Sequence, residues 1–152
     1  MRSKADGSAG TWPCGGFVFS NGGVVIQDGK CMLDSPEAIE AVQYYGSILN
    51  EAGPLGVGNY HWYECLNDYM QEAVAIGLDS SNFATDIENP EKSNAAGHTT
   101  YGAMVSGPGK QAKPNMWHWM AGINSKSQQK AAAFLFLTWA NSKPTCLMSS
   151  AL

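Results

Sequence analysis

The stretch Leu33-Asp34-Ser35-Pro36-Glu37-Ala38-Ile39-Glu40-Ala41-Val42-Gln43-Tyr44-Tyr45 decides how the rest of this chain is read. Asp34 or Ser35 can accept from the open N–H groups of a first helical turn. Pro36 has its φ preset for that turn, and Glu37 suits the positive end of the helix dipole. Ala38, Val42, Tyr45, Leu49 and Ala52 then recur at helical spacing, which predicts one buried stripe. Gly53-Pro54 ends the helix, and Glu40 and Gln43 belong on its outside.

Upstream, Thr11 to Gly23 interleaves glycine pairs with Trp12, Phe17, Val18 and Phe19, a composition that predicts tight turns and close backbone approach. Val24-Val25-Ile26 reads as a short strand and Gln27-Asp28-Gly29-Lys30 as its turn. Downstream, a second helix is expected from about Tyr60 to Gln71, with Trp62, Cys65, Leu66, Tyr69 and Met70 inside. Ala73 to Leu78 reads as a buried strand stopping at Asp79, and Asp79-Ser80-Ser81-Asn82 as the start of a short helix. Tyr101–Val105 and Asn115–Ile123 read as further strands. The last helix, Ser127 to Ala140, is apolar nearly all round and is expected to be buried on most sides before Ser142-Lys143-Pro144 stops it. Helices and strands alternate, so the fold class is α/β.

The bulk composition narrows the function. The 152 residues are 44% hydrophobic and 14% charged, which describes a chain with a core. A net charge of −4 lacks the basic face that phosphate binding requires, so nucleic acid is not an expected partner. Cys14, Cys31, Cys65 and Cys146 show no C-x-x-C spacing, and His61, His98 and His118 share no helix face. No metal, cofactor or catalytic residue is expected from these patterns. Disulfides in an oxidising compartment and buried thiols both remain open, because the spacing specifies no pairing. The first residues carry no apolar export core and no apolar run is long enough to cross a bilayer.

Several segments in order resemble the family 1 extracellular solute-binding proteins, the maltose- and polyol-binding relatives. They are Thr11-Trp12-Pro13, Asn21-Gly22-Gly23, Leu33 to Ala41, Asn67-Asp68-Tyr69-Met70-Gln71-Glu72-Ala73-Val74-Ala75-Ile76 with Asp79 beyond it, and Ile123-Asn124-Ser125-Lys126-Ser127 leading into Lys130 to Ala140. The resemblance implies a periplasmic-binding-protein-like α/β fold with two lobes, a hinge, and solute held between the lobes. It implies an incomplete receptor: a flexible or appended segment over 1–10, a second-lobe-like region over 11–116, and a hinge return with a first-lobe helix over 117–152. It also implies a sugar or sugar-alcohol ligand, an ABC permease as partner, and an extracytoplasmic place for the full-length protein, in the periplasm or as a cell-surface lipoprotein. One departure stands out. The family usually has glycine where this chain has Glu72, and a positive φ there would cost about 1 kcal/mol or more.

Sugars offer C–H faces and hydroxyls, so flat aromatics and paired polar groups are the candidate ligand contacts. Trp12 is one, beside a hinge in family terms, against packing under the glycine turn. Trp117 and Trp119 alternate on the expected strand and should face opposite sides, one to ligand and one to core. Asp79, at a strand tip where ligands of open sheets collect, could accept two hydroxyl protons or cap the helix that follows. Asn82 and Ser80 could assist it, and Gly22 and Gly23 could offer backbone N–H groups or only shape a turn. Two other functions compete. A hydrolase would need two flanking carboxylates, with Glu64, Asp68 and Asp79 the available pool. A module without a small-molecule ligand would self-associate through exposed apolar surface.

Overall fold

The computed structural model describes residues 1, 3–4, 10–117 and 119–150. The expectation for 1–10 falls largely outside them, as does His118. The chain divides into two compact units, Met1–Asn115 and Met116–Leu152.

In the first unit α1 (Thr11–Ser20) is followed by a hairpin of β1 (Ile26–Gln27) and β2 (Lys30–Cys31), then α2 (Pro36–Ala52) and α3 (Trp62–Met70). Single 3-10 turns cover Val57–Asn59 and Ser81–Phe83, the latter running into α4 (Ala84–Ile87). The glycine-aromatic segment expected to be turns is thus a helix. Close approach is still what its glycines serve: a Cβ on Gly16 would lie 3.3 Å from both Met104 Cε and Asn115 Nδ2. The hairpin pairs Ile26 with Cys31 and Gln27 with Lys30 across Asp28-Gly29. Both turn residues have positive φ, 51° and 74°, the requirement of the two-residue turn that matches strand twist.

Helix α2 starts as its sequence dictates: the N-cap Ser35 accepts from Ala38 N at 3.3 Å. Its buried stripe is rotated from the expected one. Ala38, Ala41 and Tyr45 are buried, with Ile48 and Leu49 packed beside them, while Val42 and Ala52 are exposed. Small Ala41 in place of Val42 lets α1 come close, and Phe17 and Val18 of α1 complete the core. The Phe17 and Tyr45 rings meet edge-on, with centroids 5.3 Å apart. Gly23 lies against this contact, where a Cβ would be 2.9 Å from Val18 Cγ1 and 3.1 Å from its carbonyl oxygen. Burial among these groups pushes the Tyr45 hydroxyl well above the ordinary tyrosine range.

Helix α3 has a capping box, with His61 N donating to Glu64 Oε2 at 2.8 Å. Its C-terminus is a Schellman motif. Ala73 N donates to Asp68 O at 2.9 Å and Glu72 N to Tyr69 O at 3.0 Å. Glu72 occupies the left-handed position with φ 57°, the strained site that the missing glycine foretold.

Beyond α3, the three segments expected as strands (Ala73–Leu78, Tyr101–Val105 and Asn115–Ile123) have irregular backbone at their described residues. A strand is a pairing, and no neighbouring strand is supplied to them among the described residues. Side chains and turns hold the first two instead. Leu78 packs on the α1–α2 core, the Tyr69 ring covers Gly77, and Asn94 N donates to Met70 O at 2.8 Å. Glu88 accepts from Gly97 N and from the Tyr101 hydroxyl, each at 2.9 Å, and these bonds hold its carboxyl below the usual carboxylate range.

The second unit carries α5 (Lys130–Ala140) and α6 (Lys143–Ser150). The turn into α5 is tied by Lys126 N to Asn124 Oδ1 and Gln129 N to Ser127 Oγ, so the helix begins three residues later than expected. Asn141 and Ser142 end it, and Pro144 opens α6, where a first turn tolerates it. Contrary to the expectation of burial, no residue of α5 is buried; within its own unit, among the described residues, it packs against α6.

Candidate functional site

The expected contact residues fall in both units. In the first, Trp12 is the second residue of α1, partly buried, and its carbonyl accepts from Asn115 Nδ2. Gly22 and Gly23 follow the helix directly; Gly22 has φ 87° and is exposed, whereas Gly23 is buried against Val18. Asp79 is exposed, and its Oδ1 accepts from Ser80 N at 2.7 Å, which spends one oxygen on the turn entering the next helix. Its expected place at a strand tip is corrected, since the strand does not form. Asn82 sits in the 3-10 turn Ser81–Phe83, exposed, with its carbonyl accepting from Thr85 Oγ1 at 3.2 Å. Two of the three carboxylates offered to a hydrolase are tied to structural partners. Glu64 closes the capping box, and Asp68 bonds the Tyr60 hydroxyl, pushing that phenol up.

A groove of about 310 Å³ in this unit escaped the sequence reading. The rings of Phe17 and Tyr44, 6.1 Å apart, form one side, and Val105 to Pro108 the other. Asn21 ties its walls together. Asn21 Nδ2 donates to Glu37 O at 2.9 Å and Glu40 Oε2 at 3.0 Å, while Lys110 Nζ donates to Asn21 O at 2.6 Å and to Asn21 Oδ1 at 3.1 Å. The turn that brings Lys110 there is set by Pro108 and Gly109 (φ 71°), with Lys110 N donating to Gly107 O at 3.0 Å. Lys110 and Asn21 lie 89 residues apart, a pairing that local sequence reading does not reach.

In the second unit the structure brings Trp117 and Trp119 together. Their ring centroids are 5.9 Å apart at 65°, an edge-to-face pair. This corrects the expectation that they face opposite sides: alternation across a strand applies only to paired, pleated backbone, which this segment lacks. Both rings are open to solvent, Trp119 at 91% and Trp117 at 57%. Trp119 also lines an open cavity of about 470 Å³ with Met120, Ala121, Leu137 and Asn141. The Asn141 side chain donates to Leu137 O at 2.8 Å, so its amide is oriented by the end of α5. No motif in the sequence singles out Asn141. Indole faces beside an oriented amide supply the two contacts a polyhydroxylated solute needs, C–H stacking and a hydroxyl partner.

Among the described residues no three His, Cys, Asp or Glu side chains cluster in an arrangement that could hold a metal ion. No helix there is long and apolar enough to cross a membrane. Burial pushes the Cys14 thiol up, which makes it a poor nucleophile, and Cys31 is exposed on β2.

A family model described as bacterial extracellular solute-binding protein matches residues 2–145, and the chain belongs to that family. The erythritol/L-threitol-binding protein of Mycolicibacterium smegmatis is 26% identical over 111 residues, 73% of this chain and 23% of that protein. The crystal structure of an ABC transporter solute-binding protein from Agrobacterium radiobacter K84, in complex with ribitol, superposes with a TM-score of 0.78 at 26% identity. The match covers 95% of this chain and 36% of that one. A solute-binding protein from Agrobacterium vitis S4 with bound D-mannitol shares the fold, with a TM-score of 0.70 at 20% identity over 99% of this chain and 36% of its own. The chain therefore spans about a quarter of the curated relative and about a third of either solved structure. Its fold is an α-rich part of the α/β, two-lobed receptor that these structures represent.

Proposed function

We propose that this chain forms part of a receptor that captures a sugar or sugar alcohol outside the cytoplasm and delivers it to an ABC permease. The receptor would work in the periplasm or as a cell-surface lipoprotein, by binding without chemistry. The solvent-exposed Trp117–Trp119 pair carries the reading, because an indole that meets water offers a flat apolar surface on which a C–H-rich solute stacks. The ligands of the relatives, a tetritol, ribitol and D-mannitol, support a linear polyol as the solute class. In the first unit Trp12, Asp79, Asn82 and the backbone of Gly22 and Gly23 are the proposed contacts; in the second, Trp117 and Trp119. Transport would follow from lobe closure, whose equilibrium shifts by the ligand's differential affinity for the closed state.

Since this chain spans only part of its relatives, it is proposed to bind weakly by itself. Isothermal titration with erythritol, ribitol and mannitol tests this. Binding at millimolar or weaker affinity supports the reading, and micromolar binding by the 152-residue chain alone would contradict the divided site. An equal response to a non-hydroxylated osmolyte would remove the polyol assignment.

A further inference from the structure

We infer that Asn115 is a positioning residue for solute capture, which holds the first turn of α1 and so keeps Trp12 in place to meet the solute. The role rests on Trp12 being one of the proposed solute contacts. Helix α1 is poorly equipped to hold that turn by itself. It has ten residues, with Gly15 and Gly16 in its interior. Isolated helices shorter than about 12–15 residues are marginal even when built from good helix formers. Packing must supply the order, and it is uneven along the helix. Gly16, Phe17, Val18 and Ser20 are buried in the second half, whereas Pro13 alone is buried among Thr11 to Cys14. The N-cap, Gly10, has no side chain to accept from the first turn, and no acidic residue stands in that turn.

Residues 113–115 supply what the first turn lacks. They lie along α1 and are tied to both of its ends. At the far end Lys113 N donates to Ser20 Oγ at 2.9 Å, and Ser20 Oγ donates to Lys113 O at 3.4 Å. At the near end Asn115 Nδ2 donates to Trp12 O. Gly16 leaves room for that amide, since a Cβ there would lie 3.3 Å from Asn115 Nδ2 and 3.8 Å from its Cγ. The far tie fixes residues that the core already holds. The near tie fixes the turn that carries Trp12, and half-burial of Asn115 limits competition from water. One such bond shifts an order–disorder equilibrium about fivefold.

Hydrogen exchange and ribitol titration of the whole chain, run in parallel, test the role. Asn115→Ala should speed exchange at the Cys14 and Gly16 amides about fivefold and leave the Asn21 amide, at the far end, unchanged. Ribitol affinity should fall about twofold or more, because the ordered turn is then only part of the population. Asn115→Asp keeps the shape without the donor and should do the same, which carries the test if the alanine variant unfolds. Ser20→Ala cuts the far tie and should lower the urea midpoint with ribitol affinity unchanged. A double-mutant cycle separates positioning from general weakening: Asn115→Ala should cost no further affinity in a Trp12→Ala background. Undiminished loss in that background, or unchanged exchange at Cys14 and Gly16, would overturn the inference with the Trp12 contact intact. Full ribitol affinity in Trp12→Ala alone would remove the contact itself, and the positioning role with it.

Discussion

Replacing Glu72 by glycine should make this protein more stable, although it removes a charged side chain and loosens the unfolded chain. Glu72 is held at φ 57° by two hydrogen bonds, its own N–H to Tyr69 O and that of Ala73 to Asp68 O. For a residue with a Cβ this left-handed conformation costs about 1–2 kcal/mol. Glycine removes that cost but loses roughly 0.5–1 kcal/mol more conformational freedom on folding. The Glu72 carboxylate also stands at the negative end of the α3 dipole, an unfavourable contact of about 0.3 kcal/mol that leaves with it. The sum is a gain of about 1 kcal/mol, or about 3 °C in melting temperature for a chain of this length. Urea unfolding followed by circular dichroism measures it, with Glu72→Ala as the partner variant. Alanine removes the charge but keeps the Cβ, so it should gain no more than about 0.3 kcal/mol. A glycine variant no more stable than the alanine variant would refute the reasoning, because backbone strain would then not be what the site stores.

The carboxyl of Glu88 should give the 88–101 segment an acid-sensitive clamp. Its pKa is lowered on folding, so the stabilisation is present above the ordinary value of 4.5 and is lost as pH falls through the folded value. Hydrogen exchange at the Gly97 amide should therefore accelerate below that pH, and Glu88→Gln should flatten the profile. Gly23→Ala would press a methyl group to within 2.9 Å of Val18 Cγ1 and should cost about 1–3 kcal/mol, read from the urea midpoint at unchanged slope.

Local chemistry is what the sequence disclosed best. Ser35, Pro36 and Glu37 announced where α2 begins, Asp28-Gly29 announced a turn though not the second strand beyond it, and the absent glycine at Glu72 announced a left-handed residue. These features depend on residues within a few positions of one another. The strands were misread because Ala73–Leu78 and Asn115–Ile123 carry apolar composition suited to a sheet, while a sheet also needs a neighbour, which composition does not show. The same gap hid the contact between Trp117 and Trp119, whose opposite orientation had been inferred from a pleat that is not there. The α5 burial failed for a related reason, since an apolar helix states a need for cover without naming what supplies it. The Asn21–Lys110 tie was invisible because it joins two unremarkable loops distant in sequence.

The most direct test is saturation-transfer NMR of the 152-residue chain with ribitol at millimolar concentration, beside Trp117→Ala/Trp119→Ala and Asp79→Asn variants. If these residues line part of a polyol pocket, saturation will pass from the protein to the ribitol C–H protons and will fade in the variants. Ribitol signals that persist at full strength without both indoles and the carboxylate would contradict it.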